Sequence, residues 1–317
     1  MTTFKEIRGT TVESVSSDPT NPEVGQIWYN NTIGVLKGYQ LVAAAWATGG
    51  NLSIARGALG GAGTQTEGLA FGGASFPPLT RRNETEEYNG STWSPGGNMG
   101  TTRNSIAGCG TQTAGLGFGG YIGPITTATE EYNGSTWSPG GNLATARYDM
   151  GGAGIQTAGL GFGGYSIPGP SVTSTEEYDG SVWSGGGNLS TARNSMGSAG
   201  TQTAGLAFGG RAPTTNVTEE YDGSAWTAGG NLNTARTGLA GCGTQTLALA
   251  FGGGGPGTSA ELYNGTSWTA TTSLTTGRPA LAGAGTQTAG LAIGGNYTAA
   301  TEEFTGAFLS AKKITTS

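Results

Sequence analysis

Apolar and polar residues alternate along most of the chain in short runs bounded by glycine. Examples are Arg103 to Gly108 (RNSIAG), Ala114 to Gly119 (AGLGFG) and Thr129 to Tyr132 (TEEY). Runs of this length and period predict half-buried β-strands. A polar G-T-Q-T segment joins the first two, and an Asn-Gly or Asp-Gly pair after T-E-E-Y is a strong hairpin signal. A fourth strand carries Trp137. Helix is expected to be almost absent, because 63 of the 317 residues are glycine and each costs roughly 1 kcal/mol relative to alanine in a helix.

The pattern repeats. Tryptophan recurs at Trp46, Trp93, Trp137, Trp183, Trp226 and Trp268, and ten residues after each stands Arg56, Arg103, Arg147, Arg193, Arg236 or Arg278. A turn glutamine follows (Gln65, Gln112, Gln156, Gln202, Gln245, Gln287), with Ile155 replacing the usual threonine once. Next comes a Gly-Gly pair, from Gly72-Gly73 to Gly294-Gly295. After a segment of variable length the unit ends on an acidic pair or near-pair and an aromatic: Tyr88, Tyr132, Tyr178, Tyr221, Tyr263 and Phe304. The period of about 40 to 47 residues is that of a propeller blade. Glycine then serves hairpins, strand ends and close approach of backbones. Collagen is excluded because glycine does not fall on every third residue.

The order R, apolar strand, turn, apolar strand with Gly-Gly, Y, W resembles the kelch repeat over residues 46 to 309. That resemblance implies an all-β propeller of four-stranded blades, with the Gly-Gly pair ending each second strand. It also implies that Tyr132, Trp137 and their equivalents pack between blades, where burial of each aromatic is worth about 1.5–3 kcal/mol. Six blades are expected, with Trp46 completing the last blade in place of the degenerate strand Ala307 to Ala311. Seven is the alternative, if the segment 25–46 adds a blade. The expected division is a 1–45 N-terminal arm and a 46–317 propeller.

Composition narrows the chemistry. With no histidine, Ser-His-Asp and Cys-His nucleophile systems and His-ligated metals are excluded. Dispersed charge with a net of −6 leaves no basic footprint for nucleic acid. The start, Met1 to Thr11, has no apolar run resembling a signal peptide, and Leu41 to Ala47 is too short for a membrane helix. Cys109 and Cys242 replace an alanine of the repeat, in the second and fifth of six blades, and are expected free and buried. The repeat arginines are expected to bond a glutamate or carbonyl of the next blade, and the glutamines to bond their turns. No cofactor or metal is expected. A copper oxidase of the kelch kind lacks its histidines here, and a sialidase-like hydrolase lacks a non-repeating carboxylate pair.

What varies is the segment after each Gly-Gly pair, and variable loops on a rigid scaffold are where binding resides. Phe76, Arg81, Arg82, Tyr121, Tyr165, Arg211 and Tyr297 are the candidate binding residues, by their suitability for interfaces and sugar stacking. Unconstrained surface loops are the alternative reading. Residues 18 to 39, DPTNPEVGQIWYNNTIGVLKGY, resemble a segment of bacteriophage tail and fibre proteins that forms a small hairpin. The expectation is a non-enzymatic virion protein, with the arm binding other virion proteins and the loop face a host glycan or protein. A homo-oligomer or larger assembly is expected. An extracellular adhesin and a purely structural decoration protein are the alternatives.

Overall fold

The computed structural model describes residues 12–254 and 257–314. Met1 to Thr11, which carried the signal-peptide reading and opens the arm, and Gly255-Pro256 of one variable segment lie outside the described residues. The described residues contain no helix and form two compact units, Trp46–Thr305 and Met1–Ala45 with Gly306–Ser317.

Trp46–Thr305 is built from six four-stranded sheets. The first is Gly60–Gly63, Gly68–Phe71, Thr85–Tyr88 and Trp93–Pro95, and the second is Ala107–Gly110, Gly115–Phe118, Thr129–Tyr132 and Trp137–Pro139. The first five sheets are antiparallel meanders. The innermost strands pack side by side in a closed cycle, from Gly60–Gly63 through Ala107–Gly110, Gly151–Ile155, Gly197–Gly200 and Leu239–Gly243 to Ala282–Gly285 and back. This arrangement is consistent with a propeller. The sixth sheet takes its outer strand, Ala45–Thr48, from the start of the chain. Trp46 there lies 5.1 Å from the Phe304 ring and 5.2 Å from that of Phe251.

Two expected boundaries move. The first strand of the second sheet is Ala107–Gly110, not Arg103 to Gly108. Ser105 adopts φ of 54° and turns the chain, while the Arg103 side chain reaches back to carbonyl oxygens. The domain expected over 46–317 ends early as well: Phe308–Lys313 pairs with Val35–Val42, from Val42↔Phe308 to Lys37↔Lys313. Ile27–Asn30 and Val35–Val42, which would have made a seventh blade, therefore belong to a separate sheet that also includes Glu13–Val15.

That separate unit is organised around Asp18. Its carboxylate accepts hydrogen bonds from Lys37 Nζ at 2.7 Å, Asn30 Nδ2 at 3.1 Å and Trp28 Nε1 at 3.2 Å. The Lys37 bond leads in holding this carboxyl below the usual range. Trp28 is fully buried and stacks on Tyr39, whose hydroxyl donates to the Pro19 carbonyl.

The seams between sheets of the ring show why the repeat keeps its residues. Tyr132 of the second sheet donates to Glu87 of the first at 2.6 Å, and Trp137 Nε1 donates to Thr85 Oγ1 at 2.8 Å. The Trp137 ring also packs on Phe71, with centroids 4.8 Å apart. Gln112, expected to bond its own turn, instead donates to the carbonyls of Gly68 and Tyr88 in the preceding sheet. Its amide reaches further than the turn and satisfies two strand-end acceptors there. Two glycines follow from these contacts. A Cβ on Gly96 would come 2.5 Å from the Tyr132 hydroxyl, and one on Gly119, at φ of 63°, would come 2.6 Å from the Arg147 carbonyl oxygen.

Candidate functional site

The repeat arginines lie in the interior. Arg103 is fully buried in the connection from the first to the second sheet. Its Nη1 donates to Gly119 O and Ala128 O, and its Nη2 to Glu130 Oε1 at 2.9 Å, all in the second sheet. Its own carbonyl accepts from Gly73 N of the first sheet at 2.8 Å. The side chain, expected to reach the next blade, thus fastens the sheet that its own segment leads into, and its backbone carbonyl holds the preceding one. Glu130 Oε2 takes the Gly100 amide as well. Equivalent ion pairs join Arg56, Arg147, Arg193, Arg236 and Arg278 to Glu86, Glu176, Glu219, Glu261 and Glu302. Burial lowers each guanidinium's pKa and the paired glutamate opposes that. These charges are committed to the fold. The tryptophans Trp93, Trp137, Trp183, Trp226 and Trp268 are likewise held at the seams through threonine hydroxyls.

The inner strands enclose a channel of about 260 Å³ lined mainly by glycine and alanine. At one end stand Leu59, Ile106, Met150, Met196, Leu239 and Leu281, one from each sheet. The residue before each of these adopts a left-handed backbone: Ala58, Ser105, Asp149, Ser195, Gly238 and Ala280, with φ between 51° and 66°. Each of the six amides donates to the carbonyl of the equivalent residue in the preceding sheet, at 2.7 to 3.1 Å, and the chain of bonds closes on itself. Cys109 and Cys242, also on the channel wall, are free. Burial pushes both thiols up to about 12, which makes them poor nucleophiles and poor metal ligands. Among the described residues no cluster of acidic, histidine or cysteine side chains could hold a metal ion.

The variable segments follow the Gly-Gly pairs. The guanidinium of Arg81 sits 4.7 Å from the Tyr121 ring centroid, a cation–π contact. Tyr121 lies 5.9 Å from Tyr148, and Tyr148 lies 5.5 Å from Tyr165, so three tilted rings form a row across the second and third sheets. Isolated bridges hold the row: Asn104↔Tyr121, Tyr148↔Tyr165 and, next to it, Asn194↔Arg211. Arg211 is exposed, and its charge acts on Asp149. The other candidates do not join the row. Phe76 pairs with Tyr297 at 5.6 Å, and Arg82 is tied to Glu84 and Ser75.

Tyr148 and Asp149 escaped the sequence reading because they directly follow a repeat arginine, where a strand was expected. Asp149 is the one acidic residue among the six that form the closed ring of amides. Ser195 Oγ donates to its Oδ2 at 3.2 Å, and the Ser105 hydroxyl also favours its charged form. Burial raises the Asp149 pKa above the ordinary carboxyl value, against these hydroxyls and Arg211. Such a carboxyl can accept or donate a hydrogen bond, and the adjoining rings offer apolar faces with hydroxyl edges. Comparison of the chain with protein-family models and with curated proteins finds no match to either.

Proposed function

We propose that Trp46–Thr305 is a six-bladed propeller of the kelch kind, and that the chain is a non-enzymatic binding protein of a bacteriophage tail or fibre. Residues 12–45 and 306–314 would be the attachment unit, and the loop face would meet the host surface. The observation that supports a binding role is the row Tyr121–Tyr148–Tyr165 beside Arg81 and Arg211, on a scaffold whose other charges are mostly consumed by internal pairing. The resemblance of residues 18 to 39 to tail and fibre segments supports the virion assignment. In this reading the repeat supplies a rigid ring, and the variable segments supply the target.

The test is binding of fluorescently labelled protein to a panel of bacterial cells, with Tyr121→Ala/Tyr165→Ala as the comparison. Binding to particular strains, lost in the double variant, is the expected outcome. Equal binding by parent and variant would remove the loop face from the account, and binding to no cell would remove host attachment.

A further inference from the structure

Six equivalent positions surround the axis at each level of the loop face, so the sheets can be compared directly. In the closed ring of amides the residues are Ala58, Ser105, Asp149, Ser195, Gly238 and Ala280, in the order of the sheets. Polar side chains fall on the second, third and fourth sheets alone. One residue earlier stand Gly57, Asn104, Tyr148, Asn194, Thr237 and Pro279. Directly after the Gly-Gly pairs stand Ala74, Tyr121, Tyr165, Arg211, Gly254 and Asn296. Every aromatic or charged residue at these levels again belongs to the second, third or fourth sheet. The interior of those sheets repeats the others almost residue for residue, so three levels have departed together over one half of the face.

The chemistry beside that half is specific. Arg81, which reaches Tyr121 from the variable segment of the first sheet, and Arg211 have no carboxylate within ion-pair distance among the described residues, whereas Arg82 and the six repeat arginines each have one. Arg81 lies over Tyr121, and Arg211 pairs by backbone with Asn194 on the far side of Tyr148 and Tyr165. Along the axial edge run Ser105, Asp149 and Ser195, joined to Asn194 through the Ser195 hydroxyl. The Asn104 Oδ1 beside Tyr121 is buried without a hydrogen-bond partner. Aromatic rings suit the C–H faces of pyranose rings, and hydroxyl, amide and carboxylate groups suit sugar hydroxyls. Free guanidinium groups suit carboxylates, which they bind in a planar fork.

We propose that the face over the second to fourth sheets is a binding subsite for an acidic polysaccharide. The tyrosine row carries the sugar rings, Arg81 and Arg211 pair with their carboxylates, and Asp149 with its two serines reads a sugar hydroxyl near the axis. This proposal rests on the host-binding reading above and names the ligand class for it.

The experiment uses the full chain against alginate, polygalacturonate, hyaluronate and polysialic acid, each with its carboxyl-reduced, neutral counterpart, together with the cell panel. At least one acidic polymer should bind, with tenfold or greater loss on carboxyl reduction. Arg81→Gln/Arg211→Gln should lose tenfold or more, Asp149→Asn a smaller factor, and Asn296→Ala on the opposite half nothing. Binding to none of the acidic polymers, or equal binding to acid and reduced forms, overturns the proposal. If cells still bind and protease treatment of the cells abolishes it, the partner is a protein; host attachment then stands and the acidic-sugar subsite falls. If neither cells nor polymers bind, both readings fall.

Discussion

The seam between the fifth and sixth sheets and the loop face over the second to fourth both depart from the repeat, but in opposite ways. In the other five seams a tyrosine donates to a glutamate of the preceding sheet, as in Tyr88–Glu303, Tyr178–Glu131 and Tyr263–Glu220. A glycine stands where a Cβ would strike that tyrosine's hydroxyl, as at Gly49 or Gly229. In the fifth-to-sixth seam the tyrosine is Phe304, the glutamate is Leu262, the glycine is Thr271 and the threonine is Ala260. Trp46, lacking that threonine hydroxyl, donates to the Thr272 carbonyl instead. Each loss is repaired by a matching change. On the loop face, by contrast, Arg81 and Arg211 add charges that have no ion-pair partner among the described residues. Departures that repair one another preserve a ring, while departures that add unpaired groups to a surface point outward to a ligand.

The largest loss is expected at a feature common to all six sheets. Arg193→Met would leave Glu219 buried without its counter-charge and should cost about 3–5 kcal/mol in chemical denaturation. Phe304→Tyr brings a hydroxyl against Thr271 and Leu262 in the one apolar seam, and a loss of about 1–3 kcal/mol is expected. Glu87→Leu strips the acceptor from Tyr132 at a similar cost, but Glu87→Leu/Tyr132→Phe, which copies two of the four changes of the apolar seam, should return to within about 1 kcal/mol of the parent. A double-mutant cycle that shows no coupling would refute the compensation argument.

A pH titration sharpens the same contrast. Burial first, and then the Glu87 bond, raise Tyr132 to about 12, so the folded state holds a proton that the unfolded state releases near 10. The stability this proton contributes is complete below pH 10 and is lost as pH rises toward 12. The Glu87→Leu/Tyr132→Phe variant lacks that loss at one seam, so its stability relative to the parent should improve across this window, measured by denaturation at pH 9, 10 and 11. A constant difference would count against the assigned cause.

Much of the ring was legible because its determinants are local or strictly periodic. The ten-residue interval from tryptophan to arginine, the Gly-Gly pairs and the T-E-E-Y runs mark the strands, and the surplus Trp46 foretells that the start of the chain completes the sixth sheet. What sequence could not reveal were partners set by the third dimension. The glutamines bond the preceding sheet because closure places two strand-end carbonyls there. The strand beginning at Ala107 is late because Ser105 turns left-handed to join the ring of amides, a bond made 47 residues back in the chain, at Ala58. The candidate site was half seen. Arg81, Tyr121, Tyr165 and Arg211 stood in visibly variable segments, whereas Tyr148 and Asp149 lay within the repeat. Aligning the six copies at the residue after each arginine would have exposed them, since Gly57, Asn104, Tyr148, Asn194, Thr237 and Pro279 share no type but asparagine.

The most direct test measures stability and cell binding together on one variant from each region. Arg81→Gln/Arg211→Gln should stay within about 0.5 kcal/mol of the parent's stability, as for surface substitutions, and lose cell binding. Glu87→Leu should lose stability and keep cell binding at temperatures where it remains folded. If the arginine variant binds like the parent, or if binding is lost from the glutamate variant while it is still folded, the division between a ring that holds and a half-face that binds is contradicted.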